Sequence, residues 1–537
     1  MKDIACTQSF RDFSRYNYIY VDKTRQIFRL LRNRRVFISR PRRFGKSLML
    51  DTIATLFSEG ADPYFRGTWI HDRWTDRKYP VLRLNFLDYL GDFDEFRKLL
   101  FRDIAAFAGK LGLREAVAGD SEPHEALRDL LKALDERGVS IVILIDEYDA
   151  LLTKNMNAPV LYERFRAAIR ALFGAVRGRR CVRFLCVTGV TRLREDSIFP
   201  GGSGIKDLSY YGPVSAITGF DRDEIRKCYA DYINLAVSLE KGIPESAVSE
   251  EQREELLRRL AGEYDGYSFD AEYRHRVFST WSVNTFFHEA ASRKKVIFSD
   301  YWYDNGGIPS ILAKYLETHI ISLLEYSGDI EISMDDFWNP ASLPDMRQEV
   351  LMCQTGYLTA RSRIPNGNSV RLGVPDGEVR RSLEKALSLL VFPLADFAAD
   401  ENEQFFSGAS AGEIAERLSS LMCAISHEIF HKMNERTVHG LIHAFMIGAG
   451  QPERTVAQGA SGRSDIVLDY RNRRLVLGLR YAETEKECPE RLCEAAEQIR
   501  ERRYGDLLPA KTEVLQIALV FNGGEGVRQF THYETVV

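Results

Sequence analysis

An α/β fold built on a parallel sheet is what the first 215 residues predict, and three observations carry it. Short apolar runs alternate with longer helical patterns, as strands joined by crossover helices do. One run, Val142-Ile143-Leu144-Ile145, is apolar throughout, as a strand covered on both faces must be. Another, Val36-Phe37-Ile38-Ser39, leads through a tight loop ending Gly45-Lys46-Ser47 into a helical run.

The elements follow in order. Strands are expected over 36–39, 81–86, 141–145 and 184–188, with helices over 46–57, 93–111, 125–137 and 160–173. Open sheets of this kind bind ligands beyond the carboxyl ends of their strands, where Ser39 and Asp146 stand. From residue 222 to about 264 the pattern is helical and charged, as expected of a helical lid. Residues 323–394 mix short helices and strands, which suggests a winged-helix-like module. Helices resume from Ala411, and strands return over 465–470 and 474–479. A chain of 537 residues is too long for one core. The expected division is 1–215, 216–395 and 396–537.

The loop and the apolar strand together suggest phosphate chemistry. Gly45 lets the backbone approach an anion, Lys46 reaches the terminal phosphates of ATP, and the Ser47 hydroxyl ligates Mg2+. The start of the next helix, at Ser47 and Leu48, favours negative charge. Asp146 is expected to hold Mg2+ and Glu147 to polarise the attacking water. Thr188 ends a strand where it could sense the γ-phosphate, and Arg192 could contact it from the following loop. The plainer readings are a strand-end hydroxyl and a surface charge. Arg43, beside Phe44 in the loop, either contacts the anion or pairs with an acidic neighbour. Asp149 is expected to hold the loop after its strand. The place of the usual first glycine of such a loop is taken by Arg40.

Several segments resemble one family, the predicted AAA-ATPase-like proteins. They are Tyr20-Val21-Asp22-Lys23-Thr24, Ser39-Arg40-Pro41-Arg42-Arg43-Phe44-Gly45-Lys46-Ser47, Leu144-Ile145-Asp146-Glu147-Tyr148-Asp149, Thr188-Gly189-Val190-Thr191-Arg192 and Gln354-Thr355-Gly356-Tyr357-Leu358-Thr359. The resemblance covers most of the chain, and in it the missing glycine is habitual. It implies a P-loop ATPase joined to a C-terminal domain of the PD-(D/E)XK nuclease superfamily, a restriction-endonuclease-like α/β fold. It also implies that the segment with Tyr20 and Asp22 borders the adenine. The family's Asn-rich turn after Phe199 is replaced here by Pro200-Gly201-Gly202-Ser203-Gly204.

That nuclease superfamily needs an Asp on one strand and Glu-x-Lys on the next. Asp465 matches the first, and Glu435 and Gln498 match the flanking helices. Gly478 stands where the Glu is needed and Arg480 where the Lys is needed, so the site reads as degraded. Glu483 or Glu494 could supply a migrated carboxylate. His427-Glu428-Ile429-Phe430-His431 matches a zinc-protease motif, but Asn434 and Thr437 deny the usual extension to a third ligand.

Composition excludes several classes. A net charge of −4 does not announce a nucleic-acid binder, although Arg-rich clusters at 32–35, 40–43 and 500–503 could act locally. Eight cysteines without a Cys-x-x-Cys pair argue against zinc ribbons and disulfide frameworks and for a reducing, cytoplasmic setting. No apolar run approaches the roughly 20 residues that cross a bilayer. The expected function is ATP binding and hydrolysis with Mg2+, coupled to a nuclease-like binding domain for nucleic acid or a partner protein, with homo-oligomers in keeping with the family. The rivals are an ATP-gated, metal-dependent nuclease and a scaffold that binds ATP without turning it over.

Overall fold

The computed structural model describes residues 2–4, 7–117, 119, 121–304, 310–316, 329–340, 342–364, 367–383, 399–423, 433–448, 466–470, 472–502, 511, 513–524 and 526–536. Asp465, the His427–His431 motif and most of 386–399 lie outside the described residues. The chain divides into two compact units. One is Met1–Glu317 with Asp329–Arg380, and the other is Thr318–Gly328 with Arg381–Val537.

The first unit is organised by five strands: β1 (Arg35–Ser39), β2 (Val81–Asn85), β3 (Ile141–Asp146), β4 (Val182–Gly189) and β5 (Lys206–Asp207). They run parallel in the order β2-β3-β4-β1-β5. Every residue of β3 is buried, which explains its unbroken apolar sequence, whereas edge strand β2 alternates between buried and exposed. The Lys46–Glu59 helix buries Met49, Leu50, Ile53 and Leu56 against Val36, Ile38, Val142, Leu144 and Phe184. The two-residue β5 is too short to have left a periodic signal.

An extended segment, Ile19-Tyr20-Val21, serves two cores by alternation. Tyr20 packs on Phe10 and Phe13 beside the sheet, while Ile19 and Val21 join a helical core with Phe220, Ile225, Tyr229, Phe286 and Phe287. That second core belongs to helices Arg222–Cys228, Ala230–Lys241, Glu250–Tyr264 and Thr280–Arg293. Asp221 and Glu224 form a reciprocal cap on the first of these, and Ser249 and Gln252 on the third. Strands β6 (Tyr267–Ser268) and β7 (Arg276–Val277) form a short hairpin. Strands β8 (Ile330–Ser333), β9 (Thr359–Arg363) and β10 (Ser369–Gly373) make an antiparallel sheet beside the Gln348–Thr355 helix.

The second unit carries a mixed sheet of β11 (Ile466–Asp469), β12 (Arg473–Ala482), β13 (Glu513–Asn522) and β14 (Gln529–Val536). The central pair β12 and β13 is parallel, and the Cys488–Arg502 helix makes the crossover. Alternation divides β12: Leu475, Leu477 and Leu479 face helices Ala411–Cys423 and Glu435–Gly448, while Val476 packs with Ala495, Ala496 and Ile499 of the crossover helix. No helix among the described residues is long and apolar enough to cross a membrane.

Candidate functional site

The site forms where β1 and β3 end. Gly45 adopts φ +86°, a left-handed conformation open to glycine, and the Lys46–Glu59 helix starts immediately after it. Arg43 in the same loop has φ +69°, and Glu147 after β3 has φ +49°. Left-handed backbone is uncommon at non-glycine residues, and two such positions fall in the loops that follow β1 and β3.

Five predicted residues meet, three around the Asp146 carboxylate and two as an ion pair. The Ser47 hydroxyl donates to Asp146 Oδ2 at 2.7 Å, and the Thr188 hydroxyl donates to Asp146 Oδ1 at 2.6 Å. Lys46 Nζ donates to the carbonyls of Arg40 and Pro41 at 3.1 and 3.2 Å and lies 3.5 Å from Glu147 Oε1. Burial raises the Glu147 pKa, Lys46 opposes the rise, and Asp149 and Asp146 add to it. Asp149 accepts from the Thr191 amide and hydroxyl, each at 2.6 Å, so its carboxylate ties down not the loop after its own strand β3 but the loop after the neighbouring strand β4. Gly189 is required in that loop because a Cβ there would stand 2.6 Å from both Asp149 and Tyr148. A cavity of about 280 Å³ opens beside Glu147, with Arg42, Lys154 and Lys314 among its lining.

The pair Ser47–Asp146 suits Mg2+. Neighbouring ligands of an octahedral Mg2+, bound at about 2.1 Å, stand about 3 Å apart. A separation of 2.7 Å needs a shift of only a few tenths of an ångström. Both ligands are hard oxygens, as that ion prefers.

Arg40 is buried where the usual loop has glycine. Its guanidinium donates to the carbonyls of Ser39 and Ser209 at 2.8 and 2.6 Å and lies 4.2 Å over the Phe269 ring. Burial pushes its pKa down to about 10.

Other predicted residues are turned elsewhere. The Arg192 guanidinium pairs with Asp207, donates to the Trp338 carbonyl at 2.7 Å and stacks on Trp338, so it is not directed at Lys46 or Asp146. Arg43 donates to the carbonyls of Tyr301 and Trp302 at 2.8 and 2.5 Å, which commits it to holding the loop. Phe44 packs edge-on against Tyr267 and Phe269, and Leu48 packs on the sheet core. Asp22 is spent on the Thr24 and Trp69 amides, at 2.9 and 2.6 Å. Tyr20 is partly buried, and desolvation raises its pKa. A cavity of about 320 Å³ lies where Ile19 and Tyr20 meet Cys228, Asp231 and Tyr232.

Residues 5–199 match the family described as Predicted AAA-ATPase. That segment is an AAA-ATPase-like domain. An "Uncharacterized protein in vnfD 5'region" from Azotobacter chroococcum mcd 1 is 29% identical over 393 residues, covering 70% of this chain and 68% of that protein. Two solved structures are remote. Cdc6p from Pyrobaculum aerophilum is 12% identical with a TM-score of 0.24, over 68% of this chain and 90% of its own. A signal-transduction ATPase with a tetratricopeptide repeat sensor, from Pyrococcus horikoshii, is 12% identical with a TM-score of 0.23, over 79% and 54%. At such scores the fold rests on the sheet described above.

The AAA-ATPase-like domain is held partly by residues that sequence reasoning gave no role. Gln354 brackets Arg192, accepting from its amide and donating to its carbonyl, both at 2.9 Å. Gly356 at φ +94° lets the chain pass Pro41, where a Cβ would stand 2.9 Å from the Pro41 Cβ. Buried Glu378 accepts from the Trp302 amide and the Ser282 hydroxyl, both at 2.6 Å, and so fixes the carbonyls that receive Arg43. The string Gln354-Thr355-Gly356 was the only local signal of this arrangement.

In the second unit, four residues put forward for the nuclease-type site come together around one guanidinium. Buried Arg480 donates to Gln498 and lies 4.0 Å from Glu435 and 3.8 Å from Glu494. Gly478 packs on the crossover helix, where a Cβ would stand 2.7 Å from Ile499 Cδ1.

Proposed function

We propose that the ends of β1 and β3 bind ATP with Mg2+ and hydrolyse it. The observation that carries this reading is the 2.7 Å meeting of Ser47 with Asp146 across 99 residues of sequence, with Lys46 and Glu147 paired beside it. Lys46 supplies a fixed cation for phosphate oxygens, and the helix start at Gly45 to Ser47 adds partial positive charge. Ser47 and Asp146 offer two metal ligands, and Thr188 fixes the orientation of Asp146. Mg2+, when bound, neutralises charge on the phosphates. Glu147 orients the attacking water, and the burial that raises its pKa makes it a stronger base than an exposed carboxylate. Phosphoryl transfer needs little beyond positioning and charge, so this set suffices. Tyr20 and its neighbouring cavity are our choice for the adenine side.

We read the second unit as a nuclease-like fold that binds nucleic acid or a partner protein without cutting. Two observations support this. A guanidinium sits among the carboxylates that would otherwise hold a metal, and Gly478 leaves no room for a ligand without displacing Ile499.

The test is nucleotide binding and phosphate release by the full chain. Lys46→Ala should weaken ATP binding at least ~100-fold, and Glu147→Gln should keep binding while turnover falls ~10²–10⁴-fold. Unchanged phosphate release in Lys46→Ala removes the proposal. Tight binding without release in the unaltered protein favours the scaffold. Metal-dependent cleavage of DNA or RNA, lost in Asp465→Ala, overturns the non-cutting reading of the second unit.

A further inference from the structure

The second unit holds a cluster that shares no residue with the Arg480 group. Glu485 lies in a short 3-10 turn, Glu485–Glu487, and Cys488 begins the helix that follows. Residues three apart in such a turn stand one above the other, so their side chains share a face. His532 comes from β14, opposite Val520 of β13. A carboxylate oxygen of Glu485, the Cys488 sulfur and a ring nitrogen of His532 all lie within 4.8 Å of one another.

From this geometry we propose a zinc site formed by Glu485, Cys488 and His532, with its fourth position open to water or a small anion. Sulfur and imidazole select zinc over Mg2+ or Ca2+, and one Cys, one His and one carboxylate are all accepted zinc ligands. Tetrahedral zinc with bonds of about 2.0–2.3 Å holds its ligand atoms about 3.3–3.7 Å apart. The triad must therefore close by at most about an ångström, and Glu485 Oε1, on a largely exposed side chain, already stands 3.8 Å from His532 Nε2.

The surroundings hold the ligands as metal-binding groups are held. Fully buried Asn522 donates through its amide to Glu485 Oε2, and its own oxygen is fixed by the Gly524 amide at 3.0 Å. Thr531 Oγ1 bonds His532 Nδ1 at 2.9 Å, which leaves Nε2 facing Glu485 Oε1 at 3.8 Å. Partners on the far side of each ligand fix its orientation and tautomer. Cys488 packs with Ala482 and Val520, so the sulfur is anchored while His532 and Glu485 keep a path to solvent.

The test uses the full chain, stripped of metal by a chelator and titrated with Zn2+ against a chromophoric competitor. Co2+ substitution then reports sulfur ligation through a thiolate-to-cobalt charge-transfer band. One equivalent of tight zinc and that band are expected. Cys488→Ser should abolish the band and, like His532→Gln, weaken zinc at least ~100-fold, while Glu485→Gln, a change on an exposed side chain, should weaken it about 10-fold. The Cys493→Ser variant and the His427→Ala/His431→Ala double variant should bind as the unaltered protein does. Circular dichroism checks that each variant is folded. No stoichiometric zinc, or a band that survives Cys488→Ser, overturns the proposal. So does zinc lost with His427 and His431 but kept without Cys488.

Discussion

Replacing Glu147 by glycine should stabilise the first unit and stop turnover. Glu147 sits at φ +49°, where an L side chain costs about 1–2 kcal/mol and glycine costs nothing. Against this stands the greater freedom that glycine loses on folding, about 0.5–1 kcal/mol. Glycine should therefore exceed alanine at this position by about 0.5–1 kcal/mol. Neither variant strands Lys46, which keeps the Arg40 and Pro41 carbonyls. All five tryptophans lie in the first unit, so denaturant unfolding followed by tryptophan fluorescence reads that unit alone. Phosphate release measures the loss of turnover. The acid adds a pH signature. Its pKa is raised in the folded state above the ordinary 4.5, so its favourable contribution is complete below 4.5 and is lost as pH rises through the folded value. The advantage of Glu147→Gln over the unaltered protein should grow across that window and then level off. If glycine proves less stable than alanine, the strain argument fails. If Glu147→Ala retains turnover within tenfold, the assigned role fails.

Three further outcomes can be measured. Ser47→Ala and Asp146→Asn should each raise the Mg2+ needed for ATP binding, and the double variant should fall short of their summed effect because the two side chains touch. Gly356→Ala combines φ +94° with a Cβ 2.9 Å from Pro41. It should lower unfolding stability by more than about 1 kcal/mol by tryptophan fluorescence and raise the KM for ATP. Arg480→Ala removes a buried cation from between Glu435 and Glu494. It should cost the second unit about 3 kcal/mol, read by circular dichroism because that unit has no tryptophan.

The sheet was legible because its strands are apolar runs and the helices between them are periodic; β3, buried throughout, left the plainest mark. Where Ser47, Asp146 and Thr188 would gather followed from strand ends alone, since parallel strands bring their carboxyl ends to one edge. The directions of the arginines were not legible. Arg43, Arg40 and Arg192 all sit near the loop in sequence or space, yet their partners come from residues 301–302, 209 and 338. A local charge pattern says that a cation is present, not which distant carbonyl will claim it. The grouping of Arg480 with Gln498 and Glu435 followed from a superfamily pattern, whereas Glu485, Cys488 and His532 fit no spacing motif, since the hairpin of β13 and β14 alone brings the third to the other two.

Arg40 has a practical bearing on how this chain can be cut. Its anchor, the Ser209 carbonyl, follows β5 and lies beyond residue 199, where the family match stops. A fragment ended there would leave a buried guanidinium with two of its three carbonyl acceptors, Ser209 and Ser215, gone at the root of the phosphate loop. Ending at 215 restores the Ser209 and Ser215 carbonyls but strips Arg43 of Tyr301 and Trp302 and leaves Arg192 with Asp207 alone, without Trp338 and Gln354. The shortest piece that keeps the loop in shape runs to about residue 380, so an inert shorter truncation would report a broken hinge rather than absent chemistry.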